Sequence, residues 1–131
     1  MEVKAIGGRI LYFDDGKVIF EEDSIGNELY IIESGKVEIL KRINGKNITI
    51  SVLGKGDIFG ETAFFNDVPR TKSAIAIGRT ILISLTMEEL LYRMQTNLQF
   101  AIDFLQSLII RLHSSDNVLT KLITSIQNFS D

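Results

Sequence analysis

Two residue pairs bracket the stretch FGETAFFNDVPRTKSAIA at positions 59–76: Gly60-Glu61 near its start and Arg70-Thr71 near its end. Gly60 and Glu61 stand where a short helix is expected to begin. A helix N-terminus offers unpaired backbone N–H groups and a partial positive charge, and both favour an anion. Arg70 can fork two further N–H donors onto the same anion. Glu61 is out of place beside an anion unless it accepts hydrogen bonds from a neutral part of the ligand. Sugar hydroxyls are such donors. The residue types therefore describe a small ligand that carries one anionic group next to a ribose. The plainer alternative is a surface ion pair between Glu61 and Arg70, a common and weak contact.

The elements around this stretch are short and punctuated by glycine. KVIF at 17–20 and LYII at 29–32 are apolar runs separated by the polar loop EEDSIGNE. Ser34-Gly35 predicts a turn before VEIL at 37–40. Asn44-Gly45 predicts a two-residue hairpin joining VEILKRI to ITISVL. Gly54-Lys55-Gly56-Asp57 predicts another turn, and Gly78-Arg79 a hairpin between 73–77 and 80–85. Short strands at this turn spacing predict a β-sandwich or jelly-roll barrel. Phe59, Phe64 and Phe65 are expected in its interior. Lys41, Arg42 and Lys46 are expected to form a solvated edge that discourages strand pairing.

Beyond residue 85 the pattern becomes helical. Thr86 reads as an N-cap followed by Glu88 and Glu89 in the first turn of a short helix to Met94. A longer helix begins after Asn97. Ile102, Leu105, Ile109, Leu112, Leu119, Ile123 and Ile126 recur at heptad spacing, with Asp116 as the polar member of the seam. Ile102 to Ile126 spans on the order of 36 Å as a helix, more than one small β-roll covers. A parallel homodimer along this seam accounts for the distal half.

Composition bounds the rest. The chain has 131 residues, 45% hydrophobic and 24% charged, which suits one domain with its own core. The net charge of −3 gives no broad basic footprint for nucleic acid. No apolar run is long enough to span a bilayer, and MEVKAIGGRILYF lacks the order of a secretion signal, so a cytoplasmic location is expected. Cysteine is absent, which excludes thiolate catalysis and thiolate metal sites. His113 is the sole histidine, so a His-rich metal centre cannot be built. Neither a metal nor an enzymatic activity is expected.

From about Gly16 to Leu122 the chain resembles the cyclic nucleotide-binding domain family. The resemblance is carried by GKVIFEEDSIGNELYIIESGKVEI and, most specifically, by FGETAFFNDVPRTKSAIA, which is similar to the family's phosphate-binding cassette. It implies a mainly β domain with helices (α+β): a double-stranded β-helix jelly roll over about 8–86 and C-terminal helices over about 87–128, one domain over 1–131. It implies that Glu61 accepts from the ribose 2′-hydroxyl. Gly60, Glu61, Thr62 and Ala63 offer backbone groups to the ribose and cyclic phosphate. Arg70 pairs with the exocyclic phosphate oxygens, and Thr71 adds a hydroxyl and a backbone N–H. By the same resemblance Ser115 and Asp116 fall where the C-terminal helix meets the base. Lys72 departs from the family pattern. On an extended strand it would share the side of Arg70.

The expected function is a regulatory domain that binds a cyclic nucleotide, cyclic AMP favoured over cyclic GMP, and signals through its C-terminal helix. The alternative is a dimerisation module with the same fold and no nucleotide. Too few residues follow Leu122 for a helix-turn-helix, so direct nucleic acid binding is not expected, and with no spanning apolar run neither is membrane attachment.

Overall fold

The computed structural model describes residues 8–111, so Ser115, Asp116, His113 and the distal heptads lie outside the described residues. The chain divides into two compact units, residues 1–93 and 94–131.

The first unit is built on β1 (Arg9–Phe13), β2 (Val18–Phe20), β3 (Leu29–Ile43), β4 (Lys46–Leu53), β5 (Ile58–Phe59) and β6 (Ser73–Leu85). The helix α1 (Glu61–Asn66) stands between β5 and β6, and α2 (Met87–Thr96) follows β6. The pairing is antiparallel in the order β1-β6-β3-β4, with β2 added to β6 and β5 to β3. The core gathers Tyr30, Ile32, Val37, Ile39, Phe59, Ala74 and Leu82 on the inner face. Phe20, Tyr30 and Phe59 form an aromatic cluster with centroids 5.3–5.9 Å apart. This is the expected mainly β architecture with C-terminal helices.

Several local expectations hold for local reasons. Asn44 and Gly45 both adopt positive φ, 53° and 80°, as a type I′ hairpin requires. Thr86 closes a capping box: its N–H donates to Glu89 Oε1 at 2.8 Å, and Glu89 N–H donates back to Thr86 Oγ1 at 3.2 Å.

Two predicted turns are absent. β3 runs through Ser34-Gly35 without reversing, and β6 runs through Gly78-Arg79. The register explains why these glycines are needed. Ser34 faces Ile81 while Lys36 faces Ile77, so the two strands carry unequal lengths across one bend. Gly35 takes φ 89° and Gly78 φ 70° to make it. Thr80 fills the bend. It is fully buried, and its hydroxyl lies 3.0 Å from the Lys36 carbonyl and 3.1 Å from that of Gly78. Phe59 and Phe64 are buried as expected, but Phe65 is half exposed.

The second unit contains α3 (Leu98–Arg111), capped by Asn97 Oδ1, which accepts from Phe100 N–H at 3.0 Å. Ala101 and Phe104 are buried, whereas the seam residues Ile102 and Leu105 are 41% and 46% exposed.

Candidate functional site

The site begins where β5 ends. Gly60 adopts φ 84°, a left-handed conformation that turns the chain sharply into α1. A side chain at Gly60 would also bring a Cβ within 2.8 Å of Arg70 Nη1. Glu61, Thr62 and Ala63 then form the first turn of α1, with Ala63 buried and Thr62 exposed. Glu61 is half-buried, with its Oε1 shielded from solvent.

Arg70 is the unusual residue. It is only 2% exposed, yet no carboxylate pairs with it among the described residues. Its Nη1 donates to the Gly60 carbonyl at 3.2 Å and its Nη2 to the Glu28 carbonyl at 3.0 Å. Its guanidinium carbon lies 4.3 Å over the Phe20 ring and 5.7 Å from that of Tyr30. Burial lowers its pKa from the ordinary value, against a raising influence of Tyr30 and Glu28, but an arginine starts so far above neutrality that it stays a cation. Gly26 completes the seat, because a Cβ there would stand 2.9 Å from Nη2. The guanidinium is thus fixed by two backbone carbonyls, two rings and two glycines. Its Nε, equally buried, has no hydrogen-bond partner among the described residues. A buried cation with an unused donor is costly unless something anionic completes it. The Glu61–Arg70 ion pair considered above is not formed.

The loop after β2 holds the other side of the cassette. Asp23 N–H donates to the Arg70 carbonyl at 2.7 Å, and Arg70 N–H donates to the Ser24 carbonyl at 2.8 Å. Asp23 takes φ 72° to allow this exchange. Glu22 N–H donates to Ser73 Oγ at 2.8 Å. Polar EEDSIGNE is therefore half of the site rather than a mere connection. Arg70 and Thr71 are not on a strand, since β6 begins only at Ser73, and Lys72 does not extend Arg70's side of one. Thr71 is exposed, as a ligand contact needs to be.

Lys41 also departs from expectation. Rather than standing free on a solvated edge, its ammonium donates to Glu22 Oε2 at 2.7 Å and to the Thr71 carbonyl at 3.1 Å. Glu22, Glu28 and Lys41 are the site residues that the motif alone did not reveal. Their partners are distant in sequence, and a charged loop facing a charged hairpin is the only hint of them.

The family model for the cyclic nucleotide-binding domain matches residues 10–97. A cAMP-dependent protein kinase regulatory subunit of Mucor circinelloides f. lusitanicus is 41% identical over 69 residues, covering 53% of this chain and 16% of that protein. A CRP-like cAMP-activated global transcriptional regulator of Mycobacterium tuberculosis is 34% identical over 112 residues, covering 85% of this chain and 50% of that protein. Among solved structures, the catabolite activator protein of Thermus thermophilus superposes with a TM-score of 0.71 at 30% identity, covering 87% of this chain and 54% of that one. The chain spans about half or less of the length of these relatives.

Proposed function

The chain belongs to the cyclic nucleotide-binding domain family, and we propose that it is a regulatory domain that binds a cyclic nucleotide, with cyclic AMP preferred to cyclic GMP. The observation that carries this reading is the Arg70 guanidinium, buried and clamped with its Nε unused. A cyclic phosphate supplies the missing acceptor and charge. Gly60, Glu61, Thr62 and Ala63 take the phosphate and ribose with backbone groups, and the Glu61 carboxylate accepts from the 2′-hydroxyl. Thr71 adds its hydroxyl and N–H. The residues do no bond-breaking work in this account: they bind, orient and exclude water. We assign no metal to the site and no catalysis to the chain. Among the described residues no group of three metal-ligating side chains occurs.

The preference for cyclic AMP rests on relatives whose names specify cAMP, against one, a cGMP-dependent protein kinase of Plasmodium berghei, that is 42% identical over 64 residues. We place base reading at Ser115 and Asp116, and signalling in the C-terminal helix that carries them. Ligand binding shifts the placement of that helix only through a contact made differently in the two states, and these residues supply it. The exposed apolar residues Leu98, Ile102 and Leu105 support a homodimer along α3. We take the domain as one unit of function over 1–131, a β-roll of about 8–86 with helices of about 87–128, acting in the cytoplasm. No helix among the described residues is long and apolar enough to cross a membrane.

Titration calorimetry with cyclic AMP, cyclic GMP and a cyclic dinucleotide tests the assignment. We expect saturable heat with both mononucleotides, tighter for cyclic AMP. Heat from none of the three leaves the nucleotide-free dimerisation module as the reading.

A further inference from the structure

The cassette contains one fixed cation, Arg70, and the structure sets a second beside it from a different strand. Lys41 reaches across from β3 to the carbonyl of Thr71, the residue that follows Arg70. Its position is set by Glu22, and Glu22 is itself held at three points. One carboxylate oxygen accepts from Lys41 Nζ, and the other accepts from Arg42 N–H at 2.9 Å. The Glu22 backbone N–H bonds Ser73 Oγ. Arg70 is pinned through its backbone by Asp23 and Ser24. Thr71 lies between Arg70 and Ser73, both anchored to the loop after β2, and the bond from Lys41 is what ties its own carbonyl. Lys72, the cation nearer in sequence, makes no hydrogen bond or ion pair among the described residues.

We propose that Lys41 is a positioning residue of the nucleotide site, which acts by holding the Thr71 carbonyl, and with it the Thr71–Lys72 peptide, so that the Thr71 hydroxyl meets the phosphate in one geometry. The inference rests on the cyclic nucleotide reading above. Two physical effects act together. A hydrogen bond from a charged donor fixes the peptide plane more firmly than a neutral one does. The ammonium also offsets the Glu22 carboxylate, a negative charge that the same Lys41 Nζ joins to the Thr71 carbonyl. Glu22 remains ionised in this arrangement, because the Lys41 hydrogen bond first, and then that of Arg42 N–H, hold its pKa below the ordinary value. The Lys41 side chain is 40% exposed, so its removal leaves the core intact.

The test is a cycle of Lys41→Met, Thr71→Ala and the double variant, with Lys41→Arg as the rescue. Each is titrated with cyclic AMP and cyclic GMP, and each is checked for folding by its urea midpoint. We expect Lys41→Met to weaken binding roughly tenfold or more and Lys41→Arg to restore most of it. Once Thr71 has lost its hydroxyl, Lys41→Met has a clearly smaller effect, since coupled residues are not additive. Unchanged affinity in Lys41→Met overturns the proposal. So does a loss of equal size in both backgrounds that Lys41→Arg does not repair. A wild-type protein that binds neither nucleotide removes the underlying reading, and the proposal with it.

Discussion

Replacing Arg70 by alanine lowers cyclic nucleotide affinity by about 2–5 kcal/mol, a loss on the order of 30-fold to several thousand-fold. The size follows from the environment. The guanidinium is 2% exposed, stacked on Phe20 and without a carboxylate partner, so its attraction to a phosphate is little diluted by water. The geometry is also prepared before binding, because the Gly60 and Glu28 carbonyls hold the two terminal nitrogens. Little ordering remains to be done when the ligand arrives. Alanine removes more than charge: it leaves those two carbonyls without their donor and opens a void beneath the Phe20 ring, so stability falls as well. Arg70→Lys separates these effects. It keeps a cation but loses the planar fork, and it is expected to recover only part of the affinity. Calorimetry on variants shown to be folded by circular dichroism measures both. An Arg70→Ala protein with wild-type affinity contradicts the assignment of Arg70 to the phosphate.

A large stability effect is expected outside the cassette, at Gly35. A Cβ there would lie 2.5 Å from the Arg79 carbonyl oxygen and 2.7 Å from the Thr80 Cα, both backbone atoms of the facing strand. The residue also takes φ 89°, where an L side chain is strained. Gly35→Ala therefore costs on the order of 3 kcal/mol or more, combining backbone strain with a clash that only a shift of β6 can relieve. Gly45→Ala is the internal control. Its φ is 80°, but nothing lies within 4 Å of the added Cβ, so only the conformational cost of about 1 kcal/mol remains. Urea unfolding of the two variants reads the difference as a midpoint shift at constant slope. Equal losses would show that the strands do not meet at the bend described here.

These two glycines also mark the limit of what the sequence discloses. Asn44-Gly45 and Thr86-Glu89 are legible because the residues that form each structure are neighbours, and local chemistry decides the outcome. Ser34-Gly35 and Gly78-Arg79 carry the same local signs and mislead, because tertiary pairing of β3 with β6 uses their freedom for a bend rather than a reversal. In the site, the cassette residues Gly60, Glu61 and Arg70 are legible as a contiguous motif. What clamps Arg70 is not. The Glu28 carbonyl lies 42 residues away in sequence, and a backbone acceptor leaves no trace in residue type. The Lys41–Glu22–Thr71 contacts join three separated segments, and each residue alone reads as ordinary surface charge. Phe65 shows the reverse error, since an aromatic residue beside a core is not always in it.

The central claim is that the unused donor of a buried arginine awaits a cyclic phosphate. The side-chain Nε–H resonance of Arg70, followed by ¹⁵N-resolved nuclear magnetic resonance during titration with cyclic AMP, tests it most directly. The account predicts that this resonance shifts on saturation, together with the backbone amides of Gly60, Glu61, Thr62, Ala63, Arg70 and Thr71. If all of them stay in place at saturating cyclic AMP, the nucleotide is not held at this site.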